Sequence, residues 1–268
     1  MAKLKKQTVL ICGSAGRMGQ ELCKSVKDHP ALTLEAAVNR GEIQVFDNDH
    51  TAVLKHSQKS LNAVLAGADI VIDFSSSEGT EMLLQGLKEA RDKVVLIGTT
   101  GLTPKLKQNF SSVAKKGRHR ILIAGNTSLG IFSLAQLAVR AAKQLPPAGF
   151  DVEITETHHR MKTDAPSGTA LFLASAIQKS MPDSKVVLSH PKRREKNAIG
   201  IHSIRGGGVF GEHEIRFISD HEEVRLSHRA FSRSLFANGA IKLATALVEN
   251  IKPGVAIELI DYVLRDKI

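Results

Sequence analysis

TVLICGSAGRMG, from Thr8 to Gly19, is the stretch that decides the fold. A short β-rich run, Thr8 to Cys12, ends in a glycine. From Arg17 to His29, Met18, Leu22 and Val26 then recur four residues apart, the spacing of one helix face. Gly13, Gly16 and Gly19 stand at G-x-x-G-x-x-G spacing rather than the commoner G-x-G-x-x-G. The physical logic is unchanged: glycine tightens the turn, lets backbone approach a pyrophosphate and lets helix pack on strand. The amides that open the helix have no partner within it and suit an anion. The glycines alone would also fit a plain structural turn; strand, turn and helix in this order favour a nucleotide.

The rest of the first half keeps the same rhythm. Thr33 to Val38, Ile70 to Phe74, Val94 to Ile97 and Ile121 to Ala124 are runs of buried-strand type. Helical patterns at about Glu78 to Arg91 and Thr103 to Lys115 separate them, the second with Pro104 in its first turn. Repeated βα units predict a Rossmann-type α/β fold, a doubly wound parallel sheet with right-handed crossovers. A long apolar helix, Leu129 to Leu145, stops at Pro146-Pro147, and the pattern changes. Phe150 to Thr155, Val186 to Leu188, Ile199 to Arg205, Glu212 to Ile218 and Glu223 to Ser227 read as strands around one helix, Ser167 to Lys179. That predicts a smaller α+β unit with a mixed or antiparallel sheet. Helical patterns return at Leu235 to Glu249 and Ile257 to Leu264. The expected division is a first domain over residues 1–128, a second over 129–235, and a C-terminal return to the first over 236–268.

Composition excludes several classes. The 268 residues are 42% hydrophobic and 24% charged, and no apolar run approaches the ~18 residues of a spanning helix, so no membrane partner is expected. The basic start MAKLKKQTVLICG runs into a glycine loop without a cleavage site, so a first strand and a cytoplasmic protein are expected rather than a signal peptide. Cys12 and Cys23 have no metal-ligand spacing and read as reduced thiols; no metal is expected. A net charge of +10 suits small anions as well as nucleic acid. With no Trp and one Tyr, stacking platforms are poorly supplied, so no nucleic-acid partner is expected. Lys192-Arg193-Arg194 with Lys196 reads as a solvated basic loop, with a phosphate-contacting patch as the alternative.

The second informative stretch is ETHHRMKTDAPSGTA, Glu156 to Ala170. It gathers two histidines, an arginine and a lysine, then opens a helix at Ser167-Gly168-Thr169. Cations beside helix-end amides suit a small dianion. Adjacent histidines point in different directions, so one of His158 and His159 can exchange protons near neutral pH while the other, with Lys162, holds a carboxylate. Lys162 can equally serve as the acid, and Arg160 can face ligand or solvent. Asp164, before Ala165-Pro166, can be a turn former, a helix-start residue or a site residue, and the structural reading is favoured.

Cofactor preference is read after the second predicted strand. An acidic residue there would hold a ribose 2′-hydroxyl, but the sequence has Asn39 and Arg40. Arg40 can pair with a 2′-phosphate or remain a solvated charge. NADPH is expected to bind at least as well as NADH.

With both motifs in view, the chain closely resembles the dihydrodipicolinate (4-hydroxy-tetrahydrodipicolinate) reductase family over nearly its whole length. The resemblance is carried by GSAGRMG, IDFSSSEGT (Ile72–Thr80), IGTTGL (Ile97–Leu102), GNTSLG (Gly125–Gly130), ETHHRMKTDAPSGTA, RGGGVFGEH (Arg205–His213) and SHRAFSRSLFANGA (Ser227–Ala240). It implies a dinucleotide-binding domain, a substrate-binding and oligomerisation domain that builds a homotetramer, and reduction of a cyclic imine dicarboxylate with NADPH or NADH. It also implies cofactor contacts at Gly13, Ser14, Ala15, Gly16, Arg17, Met18, Asn39, Arg40, Gly98, Thr99, Thr100, Ala124, Gly125, Asn126 and Thr127. His158 and Lys162 would be catalytic; His159, Gly168 and Thr169 would contact substrate. The sequence departs from the family pattern at Asn39, where many members are acidic, within Ser75–Ser77, where some have a basic residue, and at Thr127, usually aromatic. The rival readings are another two-domain NAD(P)-dependent oxidoreductase and a non-catalytic NAD(P)H-sensing regulator; neither needs the histidine–lysine string.

Overall fold

The computed structural model describes residues 6–47, 50–188 and 193–263. They form two compact units: one runs to Thr127 and takes back Ser234–Leu259, and the other holds Ser128–Arg233 and the residues from Ile260. In chain order the elements are β1 (Gln7–Cys12), α1 (Arg17–Lys27), β2 (Leu32–Val38), β3 (Glu42–Asp47), β4 (His50–Lys55), α2 (Gln58–Gly67), β5 (Ile70–Asp73), α3 (Ser77–Leu87), β6 (Val94–Ile97), α4 (Pro104–Gly117) and β7 (Arg120–Ile123). There follow α5 (Leu129–Gln144), β8 (Asp151–His158), α6 (Gly168–Gln178), β9 (Lys185–Val187), β10 (Ala198–Arg205), β11 (Glu212–Ile218), β12 (Glu223–Arg229), α7 (Ser234–Asn250), β13 (Val255–Glu258) and α8 (Leu259–Val263).

The first unit is built on a sheet of order β13-β7-β6-β5-β1-β2-β3-β4. It is parallel from β2 through to β13, as the βα rhythm predicts, and antiparallel where β3 pairs with β2 and β4 with β3 at its other edge. The central strands are short continuous apolar runs because both faces are covered. Leu10, Val71, Val95, Ile97 and Ile121 pack with Leu61, Leu65, Leu83, Leu87 and Phe110 of α2, α3 and α4. The alternate residues Val9, Ile11, Ile70, Ile72 and Leu96 are equally buried, and α7 packs on β5, β6 and β7 and against α1. Each such side chain removed from water contributes about 1.5–3 kcal/mol. Side-chain caps fix the helix starts: Ser57 accepts from Ser60, Ser76 from Gly79 and Thr103 from Leu106, with Pro104 at the first helical position.

Two elements of this unit differ from expectation. The helix predicted over Ile257 to Leu264 begins as strand: Val255–Glu258 pairs in parallel with β7 and ends the sheet, and only Leu259–Val263 is helical among the described residues. Four residues, Val-Ala-Ile-Glu, carry no usable period, so pairing with β7 decides the strand. The stretch after Arg40 carries no predicted element, yet forms the β3–β4 hairpin and α2.

The second unit is a mixed sheet of order β12-β11-β8-β10-β9. β8, β10 and β9 run parallel, while β8, β11 and β12 run antiparallel. α5 and α6 pack on one another, α6 also on β8 and β10 and α5 on β12. β8 alternates strictly between exposed or half-buried and buried positions. The side that buries Val152 and Ile154 also buries Glu156 and His158. The strand therefore carries an ionisable pair into the end of an apolar layer.

Arg194 corrects the reading of the basic loop. Its guanidinium donates to the carbonyls of Val152 (3.0 Å) and Ala198 (2.7 Å) and pairs with Asp151 and Glu153. It ties the start of β8 to β10 rather than standing in solvent; Lys192 lies outside the described residues. No helix among the described residues is long and apolar enough to cross a membrane.

Candidate active site

In the first unit the loops at the carboxyl ends of β1, β2 and β5 surround a cavity of about 800 Å³ lined by Gly13, Ala15, Gly16, Asn39, Arg40 and Ser75, among others. This is the edge at which open α/β sheets bind ligands. The turn admits only glycine where it is tightest. Gly13 has φ +84°, and a Cβ there would lie 2.3 Å from the Phe74 carbonyl oxygen; one at Gly19 would lie 2.1 Å from the Gly13 carbonyl oxygen. The amides of Gly13 and Ser14 donate to Val38 (2.8 and 3.0 Å) and that of Gly16 to Gly13 (3.0 Å). The amides that open α1, at Arg17 and Met18, have no carbonyl partner within the helix and can meet an anion.

Beyond the turn, Asn39 is engaged locally: its side-chain oxygen accepts from the Gly41 amide at 3.1 Å. Arg40, His56 and Glu78 all line the cavity. The Ser76 hydroxyl, backbone amide donation and Arg40 hold the Glu78 carboxyl below its usual range. Beneath them lies a buried hub. Asp73, at the end of β5, accepts from the hydroxyls of Ser75 (2.5 Å), Thr80 (2.5 Å) and Thr99 (3.1 Å) and from the Ser75 amide (3.0 Å). Burial pushes its carboxyl up even against these four donors. Gly98 donates to the Asp73 carbonyl at 2.7 Å and faces the Phe74 ring, Thr100 is exposed, and Ala124 donates to Ile97 at 2.8 Å. Gly125 is exposed and Asn126 half-buried. Thr127 is buried and its hydroxyl donates to the Phe236 carbonyl at 2.7 Å, so it anchors the start of α7.

In the second unit β8 delivers Glu156 and His158, and the following loop delivers His159 and Lys162. Glu156 Oε2 shares a 2.5 Å hydrogen bond with His158 Nδ1 and accepts from Arg205 at 2.8 Å; Oε1 accepts from Arg205 at 2.7 Å and from the Ser167 amide at 3.1 Å. Burial raises the Glu156 carboxyl, but Arg205, Ser203, His158 and Ser167 together outweigh it and hold it at about 2. Burial lowers the His158 imidazole, with Glu156 opposing. The His213 ring stands edge-on to His158 at 5.2 Å and shares a 3.2 Å hydrogen bond with the Ser167 hydroxyl. Burial and the neighbouring His158 hold His213 down at about 3.

Ser167 caps α6, its hydroxyl accepting from the Ala170 amide at 3.1 Å. Gly168 and Thr169 are thus the first residues of a capped helix, and a Cβ added at Gly168 would meet nothing within 4 Å. Lys162 Nζ donates to both oxygens of Asp164, at 2.7 and 2.9 Å. Asp164 is therefore the counter-ion of Lys162 and not only a turn former. Arg160 is exposed, and its amide donates to the Gly207 carbonyl at 3.3 Å. The sequence reading missed Arg205, His213 and the role of Glu156. The signal was present in RGGGVFGEH, where a glycine run is flanked by a charged and a titratable residue.

Comparison with known proteins covers most of the chain. Residues 7–127 match the family described as dihydrodipicolinate reductase, N-terminus, and residues 130–263 the one described as dihydrodipicolinate reductase, C-terminus. A 4-hydroxy-tetrahydrodipicolinate reductase of Methylocella silvestris is 39% identical over 250 residues, covering 88% of this chain and 90% of that one. One from Caldanaerobacter subterraneus subsp. tengcongensis is 38% identical over 251 residues, covering 92% and 94%. Among solved structures, dipicolinate-bound dihydrodipicolinate reductase from Paenisporosarcina sp. TG-14 superposes with a TM-score of 0.73 at 26% identity, covering 94% of this chain and 97% of that one.

Proposed function

The chain belongs to the dihydrodipicolinate reductase family, and from that premise we propose that it reduces 4-hydroxy-tetrahydrodipicolinate to tetrahydrodipicolinate, with loss of water, in the diaminopimelate route to lysine. The observation that carries the reading is the second-unit site. A buried histidine backed by an ionised glutamate, a lysine and the first turn of a capped helix come from one continuous strand–loop–helix, Glu156 to Ala170. The relative solved with dipicolinate supports a small cyclic dicarboxylate as ligand.

The first-unit cavity fits a dinucleotide, because the backbone at Gly13 and Gly19 closes to distances that leave no room for a Cβ. In our reading Gly13 to Met18, Asn39, Arg40, Gly98 to Thr100 and Ala124 to Thr127 hold NADPH or NADH. When bound, the cofactor supplies a hydride. The protein supplies the rest. The amides of Gly168 and Thr169 hold one carboxylate, and His159 with its buried Nδ1 helps to hold the other. His158 Nε2 and Lys162 Nζ move the protons that the departing hydroxyl and the reduced ring require. Lys162 must share or leave Asp164 to do so. The net charge of +10 favours the approach of two anions.

We further propose a cytoplasmic homotetramer assembled through the second unit, whose strands leave Ile204 and Val224 exposed. The decisive experiment is loss of NADPH absorbance with the freshly made product of the preceding synthase. Turnover is expected, and its absence would sink the assignment. Light scattering should return four copies; a monomer would overturn the assembly alone.

A further inference from the structure

Glu156 and Arg205 form a two-pronged ion pair at the end of an apolar layer. Glu156 is fully buried, and both its oxygens are occupied by Arg205, His158 and the Ser167 amide. Replacing such a pair with packed apolar residues is often neutral for stability, so stability is a weak reason for its presence. Its chemical consequence is specific. An ionised carboxylate only accepts, so the proton between Glu156 and His158 sits on Nδ1, and the neutral ring offers Nε2 as a lone pair. Gly211 guards that side: it has φ +155°, and a Cβ there would come within 3.0 Å of His158 Nε2. Arg205 reaches further, donating to the Asp164 carbonyl at 2.7 Å, and the Asp164 carboxylate holds Lys162. Both proton-bearing groups of the site are thus tied to one guanidinium.

We propose that Glu156 and Arg205 are positioning residues: Glu156 fixes His158 as the Nδ1–H tautomer with Nε2 presented to the ligand, and Arg205 holds Glu156 ionised while setting the loop that carries Lys162. The consequence for turnover rests on the reductase reading; the tautomer does not. The groups that face His158 are Glu156 on its own strand, Arg205 on β10, His213 on β11 and Lys162 in the loop. Glu156 favours the protonated ring, whereas burial, Lys162 and Arg205 oppose it, so His158 can both take and release a proton. An unpaired carboxylate beside it would trap the imidazolium.

Neutron diffraction from crystals of the full chain at pH 7.5 tests the tautomer directly. Density for the exchangeable hydrogen is expected on Nδ1 of His158; hydrogen on Nε2 alone overturns the proposal without any variant being made. Glu156→Gln should then lower kcat by about 10²-fold. KM for the dicarboxylate should change less than kcat, and Kd for NADPH, which the first unit holds, should stay within about two-fold, the scatter usual for sites without shared partners. The acid limb of the kcat profile should move to lower pH, because the group that favours protonation is gone. Unchanged kcat and profile, or kcat and NADPH affinity falling together, would reduce Glu156 to a structural role. Arg205→Lys, which keeps the charge but loses the fork, should fall between the two enzymes. If wild-type enzyme shows the Nδ1–H tautomer yet turns over nothing, the reductase reading fails and the positioning stands.

Discussion

Lys162 carries the sharpest residue-scale consequence, because its ammonium already grips Asp164 with two hydrogen bonds. Lys162→Ala should lower turnover by ~10²–10⁴ while leaving NADPH affinity near wild type, the weight of a positioned proton donor. Stopped-flow rates with fluorescence titration of NADPH would check both, and a parallel loss of cofactor binding would place Lys162 in the wrong pocket. A second contest lies in the dinucleotide cavity, where Arg40 and Glu78 line the same space. A 2′-phosphate there would meet one attraction and one repulsion. Arg40→Ala should weaken NADPH relative to NADH by roughly five-fold, and Glu78→Gln should strengthen it by a similar factor, the weight of exposed charge pairs of about 1 kcal/mol. Calorimetric Kd ratios decide this; equal ratios in all three proteins would leave Arg40 a solvated charge. His158, Lys162 and the α6 amides were legible because they are neighbours in sequence. Glu156 was visible but unreadable, since its meaning depends on which face of β8 is buried and on Arg205, which reaches it from another strand.

At the scale of elements, α6 owes its start to Ser167, which is held three ways. Its amide donates to Glu156, its hydroxyl accepts from Ala170, and the same hydroxyl meets His213. Ser167→Ala removes the cap, worth about 1 kcal/mol, and strands the buried His213 ring nitrogen, adding roughly 1–3 kcal/mol. Thermal unfolding should shift down accordingly, and affinity for pyridine-2,6-dicarboxylate should fall while NADPH affinity holds. An unchanged dicarboxylate affinity would mean that the α6 amides do not bind it. The element-level reading of the chain succeeded where structure is local. β1, the glycine turn and α1 follow from contiguous residues, and α5 from an apolar run closed by two prolines. It failed where pairing decides. β4, HTAVLK, is exposed at every position and shows no burial alternation, and β13 is four residues that need β7 beside them.

At the scale of the whole molecule, four histidines among the described residues are held below their ordinary range, and burial is the leading cause at each: His119, His158, His213 and His228. His119 shows why. Its Nε2 donates to the Leu87 carbonyl at 2.9 Å and its Nδ1 accepts from the Lys93 amide at 3.0 Å, so a second ring proton would face a donor. The sign follows from linkage. A group with a depressed folded pKa binds fewer protons when folded, so its contribution is intact above the unfolded value of about 6.5 and is lost as pH falls toward the folded value. For His213 that window runs down to about 3, and Glu156, held at about 2, extends the loss below the ordinary carboxylate range. Asp73, raised by burial, acts in the opposite sense, and only in the carboxylate range. Denaturant midpoints should therefore be level above pH 7 and decline from pH 6.5 to 4, with each histidine adding up to about 1.4 kcal/mol per pH unit where it alone remains unprotonated in the folded state. His119→Leu separates the histidine effect from general repulsion in a chain of net charge +10. It leaves the Lys93 amide and Leu87 carbonyl unpaired, so it should be weaker by roughly 2 kcal/mol at pH 7.5. Its decline between pH 6.5 and 5 should be shallower than that of the wild type. Parallel curves would assign the acid sensitivity to surface charge and remove His119 from the account.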